Sequence, residues 1–76
     1  MQALVEHIAR SLVDNPDTVK TTQSEEDDTI TIELTVDQSD LGKVIGKQGR
    51  TARAMRTLLS AAAEKDSKKT RLDILE

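Results

Sequence analysis

The chain is 76 residues long, enough for one small domain, and contains no cysteine, tryptophan, tyrosine or phenylalanine. That composition excludes disulfides, thiolate metal sites and base stacking on aromatic rings. The formal charge of −3 argues against a nucleic-acid ligand only until it is mapped along the chain. Residues 1 to 41 carry ten acids against Arg10 and Lys20, whereas residues 42 to 60 carry Lys43, Lys47, Arg50, Arg53 and Arg56 and no acid. A local field of that kind steers a ligand more than the average charge does.

Leu4, Val5, Ile8, Ala9 and Leu12 recur at helical spacing and predict an amphipathic helix over residues 3 to about 13. No long apolar run lies at this end, which argues against a signal peptide or membrane span and makes the cytoplasm the default location. With Met1 first and a strand-like segment last, the chain reads as complete and as a single domain over residues 1 to 76. Asn15-Pro16 ends the helix. Residues 19 to 23 are rich in Thr and Val and predict a polar edge strand, and residues 24 to 28 an acidic turn. Residues 29 to 36 alternate, with Ile30, Ile32, Leu34 and Val36 on one face and Thr29, Thr31, Glu33 and Thr35 on the other. That pattern belongs to a strand with one buried and one wet face.

Ser39 is placed to cap a short helix over residues 40 to 45, with Asp40 in its first turn. A longer helix follows over residues 50 to about 65, with Thr51, Ala52, Met55, Leu58, Leu59 and Ala62 on one arc. Residues 70 to 75 close the chain as a strand, with Leu72 and Ile74 on one face. The two-helix crossover between the last two strands permits their parallel pairing. The expected fold is therefore α+β, in the order α-β-β-α-α-β, with a three-stranded mixed sheet covered by helices on one face.

Between the two later helices stands Val44-Ile45-Gly46-Lys47-Gln48-Gly49-Arg50. Glycine at both ends of a four-residue loop admits the close approach of another backbone, because no Cβ stands in the way. A helix that opens just after the loop points free N–H groups and the positive end of its dipole at the occupant. With Lys43, Lys47 and Arg50 nearby, the fitting ligand is a phosphate chain.

This run resembles the I-G-x-x-G signature of the K-homology (KH) domain. The helix-strand-strand start and strand finish resemble its bacterial type II form. The whole chain is similar to small single-domain bacterial RNA-binding proteins of the KhpA type, with residues 29 to 75 as the core unit. The resemblance implies binding of single-stranded RNA, with about four nucleotides clamped by their backbone on the GxxG loop. By position it implies that Gly46 and Gly49 admit the phosphates, that Lys47 and Gln48 face them, and that Val44 and Ile45 line the groove beneath the bases. It further implies a homodimer or pairing with a larger KH-containing RNA-binding protein, in RNA regulation or chaperoning linked to cell division and cell shape.

Around this core, Gly42 reads as room for a ribose or base, or as close helix packing. Lys43, Arg50 and Arg53 extend the RNA contact, and Arg56 reads as a solvated face. Ala54, Leu58 and Ala61 offer a surface for self-association, or simple helix propensity. One isolated histidine, no cysteine and no GxxxxGK[ST] motif argue against an enzyme, a cofactor or a small-molecule substrate. A helix-turn-helix over residues 39 to 60 and an adaptor that pairs through the long helix remain as alternatives.

Overall fold

The computed structural model describes residues 1–75. Helix α1 (Gln2–Leu12) leads into a 3-10 turn at Pro16–Thr18, and strands β1 (Lys20–Glu26) and β2 (Thr29–Thr35) follow. A 3-10 turn at Gln38–Asp40 precedes α2 (Leu41–Ile45), and α3 (Arg50–Glu64) and β3 (Lys69–Leu75) complete the chain. The sheet has three strands in the order β1-β2-β3. Strand β2 pairs antiparallel with β1 and parallel with β3, as the two-helix crossover requires.

Alternation along β2 fixes which face the helices cover. Ile30, Ile32 and Leu34 are buried, and they form one core with Val5, Ala9, Val19, Val36, Val44, Met55, Leu59 and Leu72. Glu33, one residue out of phase, is exposed and accepts a hydrogen bond from Thr22 on the wet face.

The elements differ from expectation in several places. Strand β1 runs on to Glu26, because the turn needs only Asp27 and Asp28, both at positive φ (52° and 64°). Two such residues suit the twist of a tight hairpin. Ser39 is not the helix cap: the Asp37 carboxylate accepts its N–H (2.9 Å) and its hydroxyl (2.8 Å). On α3, Leu58 is 51% exposed and Ala62 is exposed, while Ala63 is fully buried. A flat sheet takes only a narrow stripe of a helix, and Ala52, Met55, Leu59 and Ala63 span about 80° of it. Leu58 and Ala62 lie on its flank. On α1 likewise, Val5 and Ala9 are buried while Leu4 and Leu12 stay about 40% exposed.

Asp40 departs furthest from the reading. It is not a solvated first-turn acid but the buried charged residue of the fold, 1% exposed. Its carboxylate accepts the backbone N–H of Asp14 (3.2 Å), the backbone N–H of Asn15 (3.1 Å) and the Asn15 side-chain amide (3.3 Å). The exit of α1 is thereby fastened to the entrance of α2. Burial alone would raise the Asp40 pKa, but these donors, with Lys43, outweigh it and hold the group below its ordinary 3.8.

Candidate nucleic-acid interface

Gly46 ends α2 at φ 78°, ψ 170°, a conformation open only to glycine, and its N–H donates to the Gly42 carbonyl at 2.9 Å. A Cβ there would collide with the Thr51 side chain, at 2.7 Å from the Thr51 Cβ. Gly49 lies in the left-handed region (φ 73°, ψ 14°), and a Cβ there would meet nothing within 4 Å. Gly46 is thus required by torsion and by Thr51, while the space in front of Gly49 stays open. Gln48 also has positive φ (57°), so three of the four loop residues turn left-handed. Helix α3 begins at the next residue with no side-chain cap on its first N–H groups. Fifteen residues of aligned peptide dipoles stand behind that end.

Lys47, Gln48 and Arg50 are exposed on the loop, and the Arg50 guanidinium donates to the Gln48 side-chain oxygen at 3.3 Å. Arg53 is exposed one turn further along α3. Gly42 is also exposed, and a Cβ on it would meet nothing within 4 Å. Close helix packing therefore does not explain that glycine. Ile45 is half-buried. Val44 is fully enclosed in the core and has no surface to offer a base.

Two basic residues are already engaged. The Lys43 ammonium sits against the Asp14 carboxylate and 3.4 Å from Asp40 Oδ1. The Asp14 partner, foremost, raises the Lys43 pKa above its ordinary 10.5. Arg56 is not merely a solvated face residue, because its guanidinium donates to the Leu72 carbonyl at 3.2 Å. Leu72 belongs to β3, whose other side pairs with β2, so Arg56 covers a carbonyl on the free sheet edge. A groove of about 440 Å³ runs beside it between α3 and β3, with Lys68 and Lys69 on its rim.

The outward face of α3 is uncovered. Ala54, Leu58 and Ala61 are all exposed, and Arg50, Arg53, Ala54, Thr57 and Leu58 line a shallow apolar depression of about 490 Å³. Among the described residues, no three His, Cys, Asp or Glu side chains gather as a metal site. No helix among them is long and apolar enough to cross a membrane. The contacts of Asp40 with Asp14 and Asn15, and of Thr51 with Gly46, escaped the sequence reading. An acid at a helix start reads as a solvated dipole partner, and nothing local says that the α1 exit will fold over it.

An α-β-β-α-α-β chain with a mixed three-stranded sheet and a GxxG loop between its second and third helices is a type II KH domain. The family model described as KhpA/KhpB, KH domain, matches residues 2–74, and the chain belongs to that family. The family is non-catalytic. The chain is 51% identical over 76 residues to a protein of Halalkalibacterium halodurans named RNA-binding protein KhpA, covering all of both chains. A protein of that name from Aquifex aeolicus is 53% identical over all of this chain and 96% of its own. One from Bacillus subtilis is 46% identical over all of this chain and 94% of its own. In fold, the chain is similar to part of a crystal structure of an Aquifex aeolicus Era variant bound to GDP and AlF4⁻. The TM-score is 0.62 at 20% identity, covering 97% of this chain and 29% of that one.

Proposed function

We propose that the chain binds single-stranded RNA without catalysis, clamping the backbone on residues 46 to 49. One observation carries this reading. Gly49 leaves open space in a loop whose side chains are basic or amide-bearing, at the uncapped start of α3, and Gly42 leaves open space on α2 before it. Relatives that match across the whole chain are named RNA-binding proteins, which supports it. In this reading Lys47, Gln48 and Arg50 meet phosphates, Arg53 extends the track, and bases lie over Gly42 and Ile45. Catalytic groups, cofactors and small-molecule substrates have no part in it.

About four nucleotides give one small groove few contacts, and two linked grooves raise affinity through effective concentration. We place a self-association surface on the outward face of α3, at Ala54, Leu58 and Ala61. The partner is a second copy or a larger KH-containing RNA-binding protein. A cytoplasmic RNA regulator or chaperone acting on cell division and shape is the role this reading fits. The exposure of Leu58 also favours a second reading, an adaptor that pairs through α3 and whose loop is silent.

The test is a titration of a short single-stranded RNA and a duplex DNA of equal length at one salt concentration, with sedimentation equilibrium on the same samples. The clamp predicts tighter binding of the RNA, weak for a single domain. Tighter binding of the duplex would support a helix-turn-helix instead, and a dimer that binds neither would support the adaptor.

A further inference from the structure

The inference concerns Lys43 and rests on the RNA-binding reading above. Lys43 stands on α2 three residues before its C-cap Gly46, a rise of about 4.5 Å along the helix, and its side chain is 43% exposed. Its flexible side chain therefore reaches a phosphate that approaches the loop. In the free protein its ammonium is held elsewhere, against the Asp14 carboxylate and beside Asp40. The two acids differ in kind. Asp40 is 1% exposed and committed to the backbone N–H groups of Asp14 and Asn15. The Asp14 side chain is 78% exposed, and Lys43 is the partner it meets among the described residues. The Asp14 backbone N–H is tied to Asp40, so its carboxylate is kept beside Lys43 rather than free to drift.

We infer that Asp14 is a built-in competitor of the RNA backbone: it holds the Lys43 ammonium in the free protein and yields it to a phosphate on binding. Physical chemistry permits the exchange, because the Lys43 side chain is itself 43% exposed and an exposed ion pair is weak. A phosphodiester carries the same single charge as the carboxylate it replaces. RNA affinity is then set below the level that an unpaired Lys43 would give.

The test is Asp14→Asn, read against Lys43→Gln in a double-mutant cycle, with the full chain and a short labelled RNA of random sequence. Asp14→Asn keeps the backbone N–H that Asp40 accepts, and circular dichroism melts verify the fold of every variant. The expected result is RNA binding about two- to fivefold tighter at low salt, the worth of a surface ion pair. That gain should vanish when Lys43 is Gln. Unchanged affinity in Asp14→Asn overturns the inference. An equal gain with and without Lys43 also overturns it, because the effect would then be net charge alone. A wild-type chain that binds no RNA removes the RNA reading itself, a distinct outcome.

Discussion

Two of the turns that leave the ordinary backbone region do so with opposite residues. At the β1–β2 hairpin, Asp27 and Asp28 take φ of 52° and 64°. Between α2 and α3, Gly46 and Gly49 take 78° and 73°. Aspartate tolerates the left-handed region because its short polar side chain bonds locally. It suffices at the hairpin, where the backbone must only reverse. The helix-to-helix loop uses glycine, whose further property is to leave space: Gly46 for Thr51, Gly49 for whatever comes from outside. The charges diverge as well, acidic from Glu25 to Asp28 and basic from Lys43 to Arg56. Similar torsions thus serve geometry in one turn and, in the proposed reading, geometry plus access in the other.

Making the loop resemble the hairpin should have the largest effect. Lys47→Asp with Gln48→Asp changes the loop charge by −3, one positive lost and two negatives gained. Carboxylates facing phosphates at contact range repel by roughly 1 to 4 kcal/mol per pair, depending on local dielectric. RNA binding should be abolished. Both positions are exposed, and aspartate accepts the left-handed torsion of Gln48, so stability should move by less than about 1 kcal/mol. Lys20→Ala, at the exposed start of β1, is the control. Arg56→Ala would be a poor one, because Arg56 holds the Leu72 carbonyl. Wild-type RNA affinity in the doubly substituted chain would reduce the basic stretch to a solvated face.

The two loop glycines can be separated next. Gly46→Ala combines positive φ with a collision against Thr51 and should cost about 2 to 5 kcal/mol. Gly49→Asn places a tolerated residue in open space and should cost about 1 kcal/mol or less while obstructing the backbone's approach. Thermal melts and RNA titrations distinguish them: the first variant unfolds easily, the second folds and binds poorly. Equal stability in both would contradict the roles given to Thr51 and Gly49.

Much of this was legible in the sequence, for reasons that lie in particular residues. The alternation from Ile30 to Val36 identified the central strand and its buried face, and Gly46-Lys47-Gln48-Gly49 identified the loop. What stayed hidden depends on tertiary contact. The stripe on α3 shifted toward Ala63 because the sheet, not helical period alone, decides which 80° of the helix is covered. Ser39 lost its capping role to Asp37, since both have capping chemistry and only the chain path chooses. The burial of Asp40 and the Asp14 partner of Lys43 were not legible, because Asp14 and Asn15 lie 25 or more residues away.

Asp40 gives a pH test of how the loop-bearing helix is anchored. Its folded pKa lies below the ordinary 3.8. Its contribution to stability is therefore complete above about pH 4 and is lost as pH falls through the lower folded value. Lys43 has the opposite sign: its contribution is present below about pH 10.5 and is lost as pH rises past its raised folded pKa. Melting temperature should fall at the acid end as Asp40 is protonated. Asp40→Asn should melt lower at pH 7 and lose part of the acid dependence, because one amide oxygen cannot satisfy the donors of Asp14 and Asn15. The difference between the two melting curves isolates Asp40 from the other carboxylates. A difference that stays constant from about pH 7 down to pH 2 would show that its ionisation does not stabilise the fold.

The smallest effect comes from the converse change, giving the hairpin the glycine of the loop. Asp28 sits at φ 64° at the second turn position, where glycine is favoured in tight hairpins. Asp28→Gly relieves that torsion but adds freedom to the unfolded chain, so the two terms oppose each other. The backbone bond from the Lys69 N–H to the Asp28 carbonyl (2.9 Å) survives, and so does the Lys68–Glu25 pair (2.7 Å) that ties β3 to the hairpin. Left-handed strain on a non-glycine residue is worth about 1 to 2 kcal/mol at most, less for aspartate. The net should be a stabilisation of under about 1 kcal/mol, a rise of a few degrees in melting temperature. RNA affinity should hold at its wild-type value, because no ligand is asked to approach this turn. Tighter RNA binding by Asp28→Gly would mean that glycine admits the backbone here too, and that the access assigned to residues 46 to 49 is not special to that loop.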